Sequence, residues 1–195
     1  MGMFILSLLG LACVLGLLGY PRWQAWRRQR WARQPFPPAW RGILRRRVPL
    51  VARLPVQRQL QLKQRMLVFL AEVPILGCAG LRVRDEMRVS IAAQACLLLL
   101  GRPEPMFAGL RQVLLYPGGF WVEKTQADAA GVIHRQRVPH AGESWADGRV
   151  VLSWEDARHG AALADDGYNV VLHEFAHQLQ QSGARPLSGP PGPDD

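Results

Sequence analysis

His173-Glu174-Phe175-Ala176-His177, inside the stretch Tyr168-Asn169-Val170-Val171-Leu172 to Gln178-Leu179, governs how the rest of the chain is read. On a helix, residues four apart share one face, so His173 and His177 can aim two imidazole nitrogens at one ion. Zinc takes histidine nitrogen at about 2.0–2.1 Å and, in catalytic sites, keeps a position open for water. Glu174 follows the first histidine and falls beside that position, where a carboxylate serves as general base. Val171, Phe175 and Leu179 recur at i, i+4 and i+8, with Leu172 and Ala176 alongside, so the stretch is expected to be helical. Asp165-Asp166-Gly167 supplies acidic residues suited to the helix N-terminus, and Gly183 and Pro186 end the pattern. The competing reading is an amphipathic helix whose histidines only face solvent or hydrogen-bond in a core.

Working outward, charge divides the chain. The net charge is +9, yet residues 1–71 hold 13 of the 24 Lys/Arg and no acid, whereas all 15 Asp/Glu lie in residues 72–195. Basicity confined to one end argues against a nucleic-acid-binding surface, and no stacking platform or nucleic-acid fold signature accompanies it. Residues 4–20 (FILSLLGLACVLGLLGY) form an uncharged apolar run at the short limit for crossing a bilayer. Arg22, Arg27, Arg28, Arg30 and Arg33 follow at once, interleaved with Trp23, Trp26 and Trp31. Interfacial tryptophan and cytoplasmic arginine predict an N-terminal transmembrane anchor, N-terminus out, with the rest of the chain facing the cytoplasm at an inner (cytoplasmic) membrane. A cleaved signal peptide would need a basic n-region and an A-x-A-like site, and both are missing. Cys13, Cys78 and Cys96 are odd in number and lack C-x-x-C spacing, which points away from a disulfide framework or a zinc ribbon.

These features divide the chain into an anchor (1–20), a basic Arg/Trp/Pro-rich juxtamembrane segment (21–53), a globular part (54–181) and a Gly/Pro-rich tail (182–195). Within the globular part, residues 57–73 carry helical spacing through Leu60, Met66, Leu67 and Leu70, and residues 85–100 read as a second, buried helix. Residues 74–80 read as a turn. Residues 112–116, 120–122, 132–134 and 150–154 are strand-like, and 155–164 form a short helix before the histidine helix. Helices, a small sheet and an active-site helix make an α+β layout.

Three segments together resemble the Mlc titration factor family of glucose-regulated zinc metallopeptidases. Val113-Leu114-Leu115-Tyr116-Pro117 is similar to that family's strand ending in Tyr-Pro. Gly142-Glu143-Ser144-Trp145 with Gly148 and Val150-Val151-Leu152-Ser153-Trp154 resembles its G-x-S-W…G-x-(V/I)-V-L-(S/N)-W block. Asn169 stands before His173-Glu174-Phe175-Ala176-His177 as in its G-(F/Y)-N-x-x-x-H-E-x-A-H arrangement. The resemblance covers roughly residues 55–181. It implies a zincin-like peptidase fold, a Zn2+ cofactor on His173 and His177, peptide-bond hydrolysis with Glu174 as base, a peptide or protein substrate, and association with a transcriptional regulator.

The chain departs from the family at two points. Leu179-Gln180 stands where the family has Leu-Asp. The family's third zinc ligand resembles a glutamate on a later helix, expected downstream of residue 195. Asp194 and Asp195 lie in the Gly/Pro tail with no helical frame, while His134, His140 and His159 are the remaining nitrogen donors. The chain is therefore expected to be a truncated member. An inactive, protein-binding relative stands as the alternative to a membrane-anchored peptidase, and a basic membrane-surface or nucleic-acid adaptor as a third reading.

Overall fold

A computed structural model describes residues 2–102, 106–127, 133–140, 142–145, 147–162 and 169–181. The chain divides into two units, Met1–Pro35 and Phe36–Asp195.

The first unit is the helix α1 (Gly2–Ala32), which continues through Pro21. Its basic half is stacked along one side: the Arg27 guanidinium lies over Trp23 at 4.4 Å and Trp31 at 4.6 Å, and Arg30 lies over Trp26 at 5.7 Å. This is the i, i+4 spacing of a helix face used for cation–π contact. Most side chains of the run 4–20 lie outside the described residues, and among the described residues no helix is long and apolar enough to cross a membrane. The expected transmembrane helix is therefore not supported by the described residues.

The second unit begins at Phe36, earlier than the start at 54 expected from the sequence. α2 (Pro38–Arg47) and α3 (Leu50–Arg53), with the turn between them, use Ile43, Leu44, Val48 and Val51 as core residues, so the basic segment from Phe36 onward folds with the globular part. Pro38 opens α2 and Pro49 precedes α3, positions where a missing N–H costs nothing. α4 (Val56–Glu72) buries Leu62, Met66, Val68, Phe69 and Leu70, whereas Leu60, expected on the apolar face, is exposed. α5 (Asp85–Leu97) is the central pillar: residues 89–96 are all buried, and α2, α4, α6 (Trp154–Ala162) and α7 (Val170–Gln181) pack on it.

Four strands form the sheet: β1 (Ile75–Gly77), β2 (Gln112–Tyr116), β5 (Gly142–Trp145) and β6 (Arg149–Ser153), in the order β1-β2-β6-β5. β1, β2 and β6 are parallel, and β5 runs antiparallel to β6 with Gly142 opposite Leu152 and Trp145 opposite Arg149. Parallel β1 and β2 need a crossover of a dozen residues or more, and α5 supplies it. β3 (Phe120–Ala127) and β4 (Ile133–His140) form a separate antiparallel ribbon. The mixed α+β layout matches the sequence expectation. Two strands were not expected: β1 falls in the expected turn 74–80, where three residues between Pro74 and Cys78 are too few to show alternation, and the four-residue β5 is as short.

Gly148 makes the β5–β6 connection possible. Its φ is +85°, and a Cβ there would lie 2.0 Å from the Gly109 carbonyl oxygen, so only glycine fits. The Arg111 N–H donates to the Gly148 carbonyl at 2.7 Å, tying this turn to the start of β2.

Candidate metal centre

The histidine helix is fixed at its first turn by Asn169. Its Oδ1 accepts the Leu172 N–H at 3.0 Å, an N-cap at the N3 position. Its Nδ2 donates to Gln94 Oε1 at 2.8 Å and to the Gly160 carbonyl at 2.8 Å. Gln94, 1% exposed on α5, donates in turn to the carbonyls of Ser90 at 3.2 Å and Ala157 at 3.3 Å. One amide thus links α5, α6 and α7 and sets where α7 begins. The acidic start expected at Asp165-Asp166-Gly167 lies outside the described residues; the cap observed is Asn169.

From that start, three faces of α7 follow by periodicity. Val171, Phe175 and Leu179 enter the core as expected, and Phe175 meets Phe107 at 5.0 Å and Phe69 at 5.8 Å between ring centroids. Val170, Glu174 and Gln178 form a second buried row turned to β5. A Cβ on Gly142 would meet Val170 Cγ2 at 2.6 Å and Glu174 Cγ at 2.7 Å, so glycine lets the strand approach this row. Gln178 Nε2 donates to Ser144 Oγ at 2.6 Å and pins the same strand one turn further on. Glycine and serine of the G-x-S-W block are therefore the two contact points of β5 with the histidine helix.

The third face is exposed and carries His173 and His177. Their Nε2 atoms are 3.1 Å apart and their rings stand nearly perpendicular, at 88°. Two nitrogens at that separation, each about 2.0–2.1 Å from a common ion, subtend roughly 95–102° at it, near the tetrahedral angle zinc adopts. Neither ring is turned away or plugged by apolar neighbours, so the pair fits a zinc ion. Glu174, between them in sequence, is 7% exposed and faces the edge strand.

The site as described stops at two nitrogens. Among the described residues no group of three His, Cys, Asp or Glu could hold a metal ion. His159 is exposed on α6 and does not join the pair. The side chains of His134 and His140, and residues Asp194 and Asp195, lie outside the described residues. β6 is paired on both sides, by β2 and β5; the sheet edge beside α7, among the described residues, is β5. Asn169 was visible in the sequence only as part of a resemblance. Ser144 likewise appeared there only within the G-x-S-W block, and Gln94 and Gln178 were missed as contacts, because neutral polar residues carry no spacing that marks them.

The profile of the glucose-regulated metallo-peptidase M90 family matches residues 23–191. The chain belongs to that family. Among its relatives, an uncharacterised protein of Synechocystis is 35% identical over 186 residues, covering 93% of this chain and 67% of that protein. Mlc titration factor A of Klebsiella pneumoniae is 33% identical over 144 residues, 74% of this chain and 54% of the relative. Its counterpart in Escherichia fergusonii is 31% identical over 166 residues, 85% and 61% respectively. This M90 chain thus spans about half to two thirds of the length of the curated relatives it matches.

Proposed function

We propose that this M90 chain carries the metal-binding helix of a zinc-dependent peptidase with a zincin-like fold. His173 and His177 are two of the metal ligands and Glu174 is the general base. The observation that carries the reading is the convergence of the two Nε2 atoms at 3.1 Å on a helix whose intervening Glu174 is buried against β5. A third protein ligand completes such a set, and by resemblance it is a glutamate on a later helix.

Bound zinc supplies Lewis acidity, polarising a carbonyl and acidifying a water. The chain's own residues do the rest. Glu174, held against β5, accepts the proton of the attacking water and returns it to the leaving amine, so one carboxylate acts as base and then acid. The substrate peptide lies along β5 as an added strand, since among the described residues β5 pairs with β6 alone. Asn169 and Gln178 hold helix and strand in register so that Glu174 meets the scissile bond. Glu174→Gln is expected to lower hydrolysis of unstructured peptides by about 10²–10⁴-fold with zinc content unchanged. Equal turnover in the variant would remove Glu174 from the chemistry.

A second reading has its own support. Only two ligands are present among the described residues, and several relatives are named Mlc titration factor A, after a protein they titrate. In that reading the chain binds a transcriptional regulator without turnover. Zinc-loaded protein that cleaves no peptide, yet captures the regulator equally well as Glu174→Gln, would favour it.

We also propose that the chain attaches to the cytoplasmic membrane through α1, with the metal site facing the cytoplasm. The apolar run 4–20 and the exposed Trp23 and Trp26, stacked with arginines, support it. Membranes washed with alkaline carbonate should retain the full chain and lose a chain lacking residues 2–20. Release of the full chain by the wash would refute the attachment.

A further inference from the structure

A cavity of about 360 Å³ opens between α2, α3 and the first turns of α4, away from the histidine helix, and its chemistry is distinctive. Its floor is apolar, made by Leu44 and Val51, which are 4% and 5% exposed. Its rim is cationic: Arg41 and Arg45 come from successive turns of α2 and Lys63 from α4. Gln59 completes the polar side, its amide held by a hydrogen bond to the Leu54 carbonyl at 2.9 Å.

The rim charges are unbalanced. No acidic residue precedes Glu72 in the sequence, and no hydrogen bond or ion pair engages Arg41, Arg45 or Lys63 among the described residues. The rest of α2 shows the contrast. Arg47 pairs with Glu86, and Trp40 donates to Asp85 at 3.2 Å, so the acids of the first turn of α5 are spent on other residues of α2. Like charges one helical turn apart destabilise a helix slightly, and a third cation opposite them adds to that cost. An anion seated among them removes it. Guanidinium groups offer paired N–H donors that match phosphate oxygens, and an ammonium adds a point charge. The apolar floor requires that the anion carry a hydrophobic portion.

We propose that this cavity binds a phosphate ester with an apolar body, the phosphoryl group on Arg41, Arg45 and Lys63 and the apolar part over Leu44 and Val51. Such a group is available from an anionic lipid headgroup or from a soluble phosphorylated metabolite. Titration of the full chain with soluble dihexanoyl phosphatidic acid, glycerol 3-phosphate and dihexanoyl phosphatidylcholine tests the site. Phosphatidic acid should bind saturably, more weakly as salt rises, and at least about tenfold tighter than the zwitterionic lipid. Glycerol 3-phosphate, which lacks an apolar part, should bind more weakly than phosphatidic acid; equal binding would remove Leu44 and Val51 from recognition and overturn the proposal. Displacement of the short-chain lipid by vesicles of long-chain phosphatidic acid would assign the site to a headgroup, and no displacement to a soluble ester. Arg45→Glu with Lys63→Glu should weaken binding at least about tenfold. Ala52→Trp, which fills the exposed mouth and leaves every charge in place, should do the same with unchanged thermal unfolding. Binding that survives both changes, or no saturable binding to either phosphate ester, would overturn the proposal.

Discussion

Asn169 shows how much one polar side chain can set. It caps α7, reaches Gln94 and the Gly160 carbonyl, and thereby fixes the turn from which His173, Glu174 and His177 are counted. Asn169→Ala removes the cap, worth about 0.5–2 kcal/mol, and also leaves the Gln94 Oε1 without the amide that donates to it. Chemical denaturation should show a loss near the upper end of that range together with weaker zinc binding. Asn169→Asp keeps the cap oxygen but sets a carboxylate oxygen against two acceptors, the Gln94 Oε1 and the Gly160 carbonyl, so a loss at least as large as that of Asn169→Ala is expected. A variant as stable as the parent would show that the network does not position the helix. The convergence of the two histidines was legible in the sequence because residues four apart share a helix face. Neutral amides and the Gln178–Ser144 bond leave no such mark.

Among the elements, those with strong periodicity were legible and those defined by their neighbours were not. α5 and α7 fall where their apolar spacing puts them, and β2 matches its expected bounds. β1 is a strand only because β2 pairs with it, and β5 is one only because β6 pairs with it and Gly142 lets it lie against α7. Leu60 has the spacing of a core residue, but the direction in which α4 packs leaves it exposed. α5 also carries a titrating group. Cys96 is fully buried, and burial pushes its thiol far above the usual range, with Arg65 opposing weakly. The folded protein keeps the proton that an unfolded chain releases near pH 8.5–9, so this contribution to stability is complete below that range and declines above it, by up to about 1.4 kcal/mol per pH unit. The unfolding free energy of the parent should therefore fall faster between pH 9 and 10.5 than that of Cys96→Ala. Parallel pH profiles would contradict the assignment.

For the whole molecule, composition and packing divide the chain differently. The Arg/Trp/Pro-rich composition of residues 21–53 places a boundary at residue 53, whereas contacts place it at Pro35, because α2 and α3 carry arginines and also bury Ile43, Leu44, Val48 and Val51. Composition along a sequence cannot separate the two faces of a short helix, and so the segment looked like a linker. The second unit then reads as a pillar, α5, on which α7, α2 and α4 all pack, with the histidine pair and the cationic cavity on separate elements. The proposed metal site places an ion between His173 and His177. Zinc K-edge X-ray absorption on the protein loaded with one equivalent of zinc tests it most directly. Two imidazole nitrogens at about 2.0–2.1 Å are predicted in the first shell, falling to one in His177→Ala. A first shell without imidazole, or one unchanged by that substitution, would contradict the account.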